Sequence, residues 1–166
     1  MSKTEIQNLV VDYANGYGID PAVAVAQIQR ESGFNPNAVG HDGERGLAQI
    51  LPNTWPQALP GVSFAAAFDP DYNLTAWGNY MLWLLNRYDW NYSKALMAYN
   101  GGPGNLDHGT VSRAARNYAK TIIANAGWQT DMPAIADSPE DESGLSIWAV
   151  AGILGAVLAV AFLRGK

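Results

Sequence analysis

The sequence predicts a mainly α-helical globular unit, followed by an acidic linker and one C-terminal transmembrane helix. Three observations lead there. Through residues 1–128, apolar residues recur at three- and four-residue spacing, and strand signals are confined at most to the loop at 37–50. The pairs Asp20-Pro21 and Asp69-Pro70 mark helix starts, with Asp as the cap and Pro at the first helical position. Residues 145–163 read LSIWAVAGILGAVLAVAFL, a run of 19 residues without a charge. At about 1.5 Å per residue, such a helix just crosses a hydrocarbon core.

The elements follow in order. Thr4 is placed to cap a first helix that carries Ile6, Leu9, Val10 and Tyr13 on one face, and Asn15, Gly16 and Gly18 end it. Asp20-Pro21 then opens AVAVAQIQRES, apolar enough to be a central, mostly buried helix, which Gly33 and Pro36 stop. Residues 34–46 form a loop rich in Gly, Asn, Pro and Asp. Pro52 opens a short helix at 52–58. After Asp69-Pro70, Leu74, Trp77, Met81, Leu82 and Leu85 follow at helical spacing. A short helix at 93–99 ends at Asn100-Gly101-Gly102-Pro103-Gly104, and 111–126 is the last helix of the globular unit.

Residues 129–144 hold five acids and no Lys or Arg, together with Pro133, Pro139, Ser138 and Ser143. Their mutual repulsion predicts an extended, solvated linker. The boundaries are therefore 1–128, 129–144 and 145–163. Trp148 near the start of the last segment, and Arg164 and Lys166 after it, suit the two membrane interfaces.

Composition excludes several chemistries. There is no cysteine, so disulfides, thiol nucleophiles and thiolate metal sites are out. His41 and His108 are lone loop histidines, and no group of residues has metal-ligand spacing; neither metal nor cofactor is expected. The net charge is −5, yet residues 1–128 hold ten acidic and eight basic residues, with no basic patch to suggest nucleic acid. Six Trp and eight Tyr either fill the core or line a cleft where ring faces pack on sugars.

Glu31 is the carboxylate most suited to chemistry. It ends an apolar helix, one step before a Gly-containing loop, where partial burial raises a carboxyl pKa. A carboxyl still protonated near neutral pH can donate to a leaving oxygen. The alternative is an ordinary solvated Glu, disfavoured there by the helix dipole.

Four blocks extend this reading. ESGFNPNA at 31–38 is followed by GLAQILPNT at 46–54, FDPDYNL at 68–74 and ALMAYNGGPG at 95–104. In this order and spacing they resemble the soluble lytic transglycosylase family, whose catalytic domain is related to goose-type lysozyme. The resemblance runs from about residue 17 to 104. It implies a lysozyme-like helical domain with a cleft for the glycan strands of peptidoglycan, and Glu31 as catalytic acid and base. It implies cleavage between N-acetylmuramic acid and N-acetylglucosamine with a 1,6-anhydro product. Ser32, Gln49, Tyr99 and Asn100 match motif positions that the resemblance assigns to the substrate cleft. The last three also have a structural reading: Gln49 as a loop brace, Tyr99 as a core residue, Asn100 as a helix C-cap. Gly46, Gly101, Gly102 and Gly104 read as backbone requirements, and Asp69 and Asn73 as cap and brace of their helix. The family often has Met where this chain has Ala48, which implies a roomier subsite. Asp42 and Glu44 read as solvated loop charges, although a hydrolase would need a second carboxylate.

The first residues, with Glu5 and Asp12, do not form a signal peptide. With the membrane segment made last, this suggests a protein of a phage virion membrane that opens the wall for genome entry, with virion proteins as partners. A bacterial cell envelope is the alternative location. A lysozyme-type hydrolase and a non-catalytic glycan-binding protein are the alternative functions.

Overall fold

Ser2, rather than Thr4, starts the first helix. Its hydroxyl accepts the Glu5 N–H at 3.3 Å while the Glu5 carboxylate accepts the Ser2 N–H at 2.6 Å, a reciprocal capping box. This geometry comes from a computed structural model that describes residues 1–128; the expected linker at 129–144 and membrane helix at 145–163 lie outside the described residues. Among those described, no helix is long and apolar enough to cross a membrane.

Helix α1 (Lys3–Tyr17) ends at a left-handed Gly18. Helix α2 (Pro21–Ser32) begins as its sequence predicts: Asp20 Oδ1 accepts the Ala22 and Val23 N–H groups, and Pro21 takes the first helical position. It buries Val23, Ala24, Gln27 and Ile28 and stops at left-handed Gly33. Helix α3 is only Trp55–Ala58. Pro52 lies in the preceding turn, where the N–H groups of Thr54 and Trp55 both return to the Leu51 carbonyl. An unpredicted 3-10 helix follows at Phe64–Phe68, capped by Ser63.

Helix α4 (Pro70–Arg87) is capped by Asp69, whose Oδ1 accepts from Asp71 and Tyr72. Helix α5 (Tyr92–Gly101) is capped by Asn91 and runs on to Gly102, which has φ 85°. Asn100 therefore lies inside the helix and is not its cap. Helix α6 (Pro103–Asp107) was not expected, because its Gly-rich sequence reads as a stop. Helix α7 (Arg113–Asn125) closes the domain from a Ser112 cap.

The helices pack around α2 and α5. Helix α5 lies against α4, α6 and α7, and α2 lies against α1 and α7. Trp55, Trp77, Met81, Leu84, Leu85, Leu96 and Met97 are among the wholly enclosed side chains, so two tryptophans serve the core. Trp83, Trp90 and Trp128 are instead exposed. The α1–α4 contact depends on Gly78, since a Cβ there would come within 2.2 Å of the Tyr17 ring. The outcome for function is that the C-terminal ends of α2 and α5 open toward the loop at 34–54.

Candidate active site

The loop that faces these helix ends is fixed by one buried amide. Asn73, 1% exposed on α4, donates through Nδ2 to the carbonyls of Arg45 at 3.0 Å and Ala67 at 2.8 Å. Its Oδ1 accepts the Ala48 N–H at 2.8 Å. Three of its hydrogen-bonding positions thus bind the 45–48 segment to α4 and the 3-10 helix. The expected brace is present, but it holds the loop more than its own helix. Two antiparallel bridges, Val39 with Arg45 and Arg45 with Ile50, complete the loop and are its only strand-like element.

A cavity of about 160 Å³ opens here, lined by Glu31, Glu44, Gln49, Leu51, Tyr99 and Asn100. Four of the five sequence-predicted residues therefore meet in one place. Glu31 comes from the last turn of α2, Tyr99 and Asn100 from the last turn of α5, and Gln49 from the loop. Ser32 does not join them. Its hydroxyl turns back toward the Ile28 carbonyl at 3.4 Å.

Burial pushes the Glu31 carboxyl from 4.5 up to about 7. The Tyr118 hydrogen bond and Arg30 oppose that rise, and Glu44 adds to it. The group therefore holds its proton through the acid range and loses it near neutrality, as a carboxyl acting first as acid and then as base requires.

Tyr118 escaped sequence reasoning. It is buried on α7, and its hydroxyl donates to Glu31 Oε1. The direction of that donation is set further inside. Trp77 Nε1–H, which can only donate, bonds Gln27 Oε1 at 3.0 Å. This orients the Gln27 amide so that its Nε2 donates to the Tyr118 oxygen at 3.1 Å. The Tyr118 proton is left to point at Glu31. The available signal was Gln27, the amide of this apolar helix that lies four residues before Glu31 and so on the same face. For Tyr118→Phe we expect cleavage to slow by about tenfold to a hundredfold. The alkaline limb of its pH profile should move upward, because the bond that favours the charged carboxylate is gone. An unmoved limb would mean that Tyr118 only fills space.

Gln49 combines both of its readings. Its Nε2 donates to the carbonyls of Ala38 at 3.1 Å and Gly46 at 2.9 Å, bracing the loop, and the side chain still lines the cavity. Its Oε1 is left as the acceptor. Tyr99 donates to the Ala48 carbonyl at 2.8 Å, and burial, with Glu31 nearby, holds its own pKa well up. Asn100 is exposed at the cavity edge.

Two expectations need correction. Ala48 is 0% exposed and is absent from the lining, so the roomier subsite is not seen. Glu44 is no free loop charge: it lines the cavity, and its Oε2 accepts the Asp42 N–H at 2.9 Å. Asp42 remains exposed, paired with His41. Among the described residues, no group of acids and histidines could hold a metal ion.

A half-buried carboxyl at a helix end, facing an amide-braced loop across a small polar cavity, defines a helical domain of lysozyme-like type. Residues 8–122 match the Transglycosylase SLT domain, and the chain belongs to that family. The match reaches beyond the four sequence blocks at both ends and takes in Tyr118. The chain is 30% identical over 132 residues to the soluble lytic murein transglycosylase of Escherichia coli K12, covering 76% of this chain and 18% of that protein. It is 29% identical over 98 residues to the transglycosylase of Enterobacteria phage PRD1, covering 59% and 35% respectively. To the membrane-bound lytic murein transglycosylase C of Photorhabdus laumondii it is 33% identical over 106 residues, covering 54% and 29%. The chain thus spans between 18% and 35% of the length of these relatives. Among solved structures, the 70 kDa soluble lytic transglycosylase of Escherichia coli superposes with a TM-score of 0.65 at 25% identity, covering 72% of this chain and 23% of that one.

Proposed function

We propose that this chain is a peptidoglycan lytic transglycosylase that cleaves the β-1,4 bond between N-acetylmuramic acid and N-acetylglucosamine. The observation that carries the reading is Glu31, a carboxyl protonated up to about pH 7 in a cavity with Gln49, Tyr99 and Asn100. The names of its relatives, lytic murein transglycosylases, support the same substrate.

Glu31 gives its proton to the glycosidic oxygen as the bond from that oxygen to C1 of the muramic sugar breaks. The resulting carboxylate accepts the proton of the sugar's own 6-hydroxyl, whose oxygen bonds to C1. The product is a 1,6-anhydro ring, no water is consumed, and Glu31 ends protonated. Gln49 Oε1 and the Asn100 amide offer hydrogen bonds to the sugars flanking the break.

Hydrolysis is the second reading, favoured by Glu44 in the same cavity. There Glu44 would hold the attacking water, as paired carboxylates do in inverting enzymes. Digestion of purified sacculi by the full chain, with mass analysis of the new ends, decides between anhydro and reducing termini.

The location belongs to the same proposal. Residues 145–163 anchor the enzyme in a bilayer through one span, and 129–144 tether the domain to it. A relative named transglycosylase comes from a bacteriophage, which supports a phage setting; in that setting the chain would be a virion-borne enzyme that opens the wall locally for genome entry. Detergent fractionation of purified virions is expected to place the chain with the lipid-containing fraction. Finding it only in host envelopes would remove the virion role and leave a cell-envelope enzyme.

A further inference from the structure

A second opening, larger than the one at Glu31, lies elsewhere in the domain. It is a shallow, open depression of about 450 Å³ at the opposite ends of α2 and α5. Asn15, Asp20, Pro21, Trp90, Tyr92 and Trp128 are among its walls. Asp20 caps α2 and Glu31 nearly ends it, so the two openings are separated by about 16 Å of helix, eleven residues at the usual rise.

Its walls combine flat apolar rings with uncommitted polar groups. Trp90 is 46% exposed and Trp128 40%. Trp128 packs edge-on against Tyr92, with ring centroids 5.0 Å apart. The Tyr92 hydroxyl accepts the Asp20 N–H at 2.8 Å, and its own proton has no acceptor among the described residues. Asp20 uses only Oδ1 for its cap bonds, and the Asn15 amide has no side-chain partner among the described residues. No lining residue is cationic, which disfavours phosphates and other anions.

Trp90 is also held outward by its backbone. Asp89 and Trp90 are consecutive left-handed residues, with φ 53° and 58°. For a bulky side chain this is a rare conformation, and such outliers gather at ligand sites. The Trp90 N–H closes the end of α4 on the Leu85 carbonyl at 2.7 Å.

We propose that this depression is a second carbohydrate site, which holds one N-acetylhexosamine unit of peptidoglycan on the indoles of Trp90 and Trp128. Ring faces take the apolar side of the pyranose, while Tyr92, Asn15 and Asp20 exchange hydrogen bonds with its hydroxyl and amide groups. The inference rests on the glycan reading of the Glu31 site. Because the two sites open at opposite helix ends, the second engages a neighbouring strand of the wall. It raises retention on the multi-strand sacculus and leaves the cutting of short soluble strands alone.

The test uses the full chain carrying Glu31→Gln, so that bound glycan is not consumed. Adding Trp90→Ala or, separately, Trp128→Ala is expected to weaken pelleting with sacculi about tenfold. In the Glu31-intact chain, the same substitutions should leave the cleavage rate on short soluble glycan strands unchanged. Unchanged pelleting with both substitutions overturns the second site. So does a parallel loss of cleavage on short strands, which would mark the two tryptophans as structural. A Glu31→Gln parent that does not bind sacculi, together with a Glu31-intact chain that does not cut them, would instead remove the glycan reading beneath it.

Discussion

Glu31→Gln is expected to abolish glycan cleavage, lowering the rate at least about a thousandfold, and at the same time to stabilise the domain at alkaline pH. The amide keeps the shape and can still accept from Tyr118, but it cannot give and retake a proton. The stability effect follows from linkage. The folded Glu31 pKa is about 7 against 4.5 for the ordinary group, so between those values the native state binds more protons than the unfolded one. Stability contributed by this site is therefore full below pH 4.5 and is lost as the pH rises toward 7. The loss amounts to about 2 kcal/mol after allowing for partial exposure. Gln has no such titration. Thermal melts should show the variant above the wild type by roughly 5–10 °C at pH 8, with little difference at pH 4. Equal melting at both values would mean that Glu31 is solvated and its pKa ordinary. The same titration predicts that wild-type activity declines above about pH 7, as the acid form disappears.

Gly46→Ala should be the most damaging conservative change outside the catalytic carboxyl. Gly46 has φ 77°, and a Cβ there would lie 2.1 Å from the Ala67 carbonyl oxygen and 2.3 Å from Asn73 Nδ2. Both are the groups that tie the loop to α4, so the loop must move and the Asn73 bonds must break. We expect a stability loss of about 3 kcal/mol or more, with cleavage falling in step as Gln49 leaves the cavity. Gly43 supplies the control. It has φ 86° but nothing within 4 Å of its Cβ position, so Gly43→Ala should cost only about 1 kcal/mol of backbone strain. Denaturant titration of the two variants measures the difference. Equal losses would show that the close approach at Gly46 is not what fixes the loop.

The parts of this structure legible in the sequence were those governed by local rules. Asp20-Pro21 and Asp69-Pro70 each placed a helix start, because cap geometry needs only neighbouring residues. Glu31 stood out for a similar reason, lying at the end of an apolar helix. The cap of the first helix was local too: Ser2 and Thr4 are both capable caps, and the Glu5 carboxylate three residues on chooses Ser2. What was not legible depends on contacts far apart in the chain. Tyr118 reads as one more buried residue of α7; its role comes from Glu31, 87 positions away. Glu44 sits in a loop that reads as solvated, and it is the fold of that loop that turns it inward. Ala48 failed as a subsite for the same reason, since the Asn73 bond draws its backbone into the core.

The most direct test is digestion of purified sacculi by the full chain in heavy-oxygen water, followed by mass spectrometry of the released muropeptides. If Glu31 passes the proton and the muramic 6-hydroxyl attacks, the new ends are 1,6-anhydro sugars that carry no heavy oxygen. Incorporation of the label at most new ends would contradict this, making the reaction a hydrolysis and Glu44 the residue that holds the water.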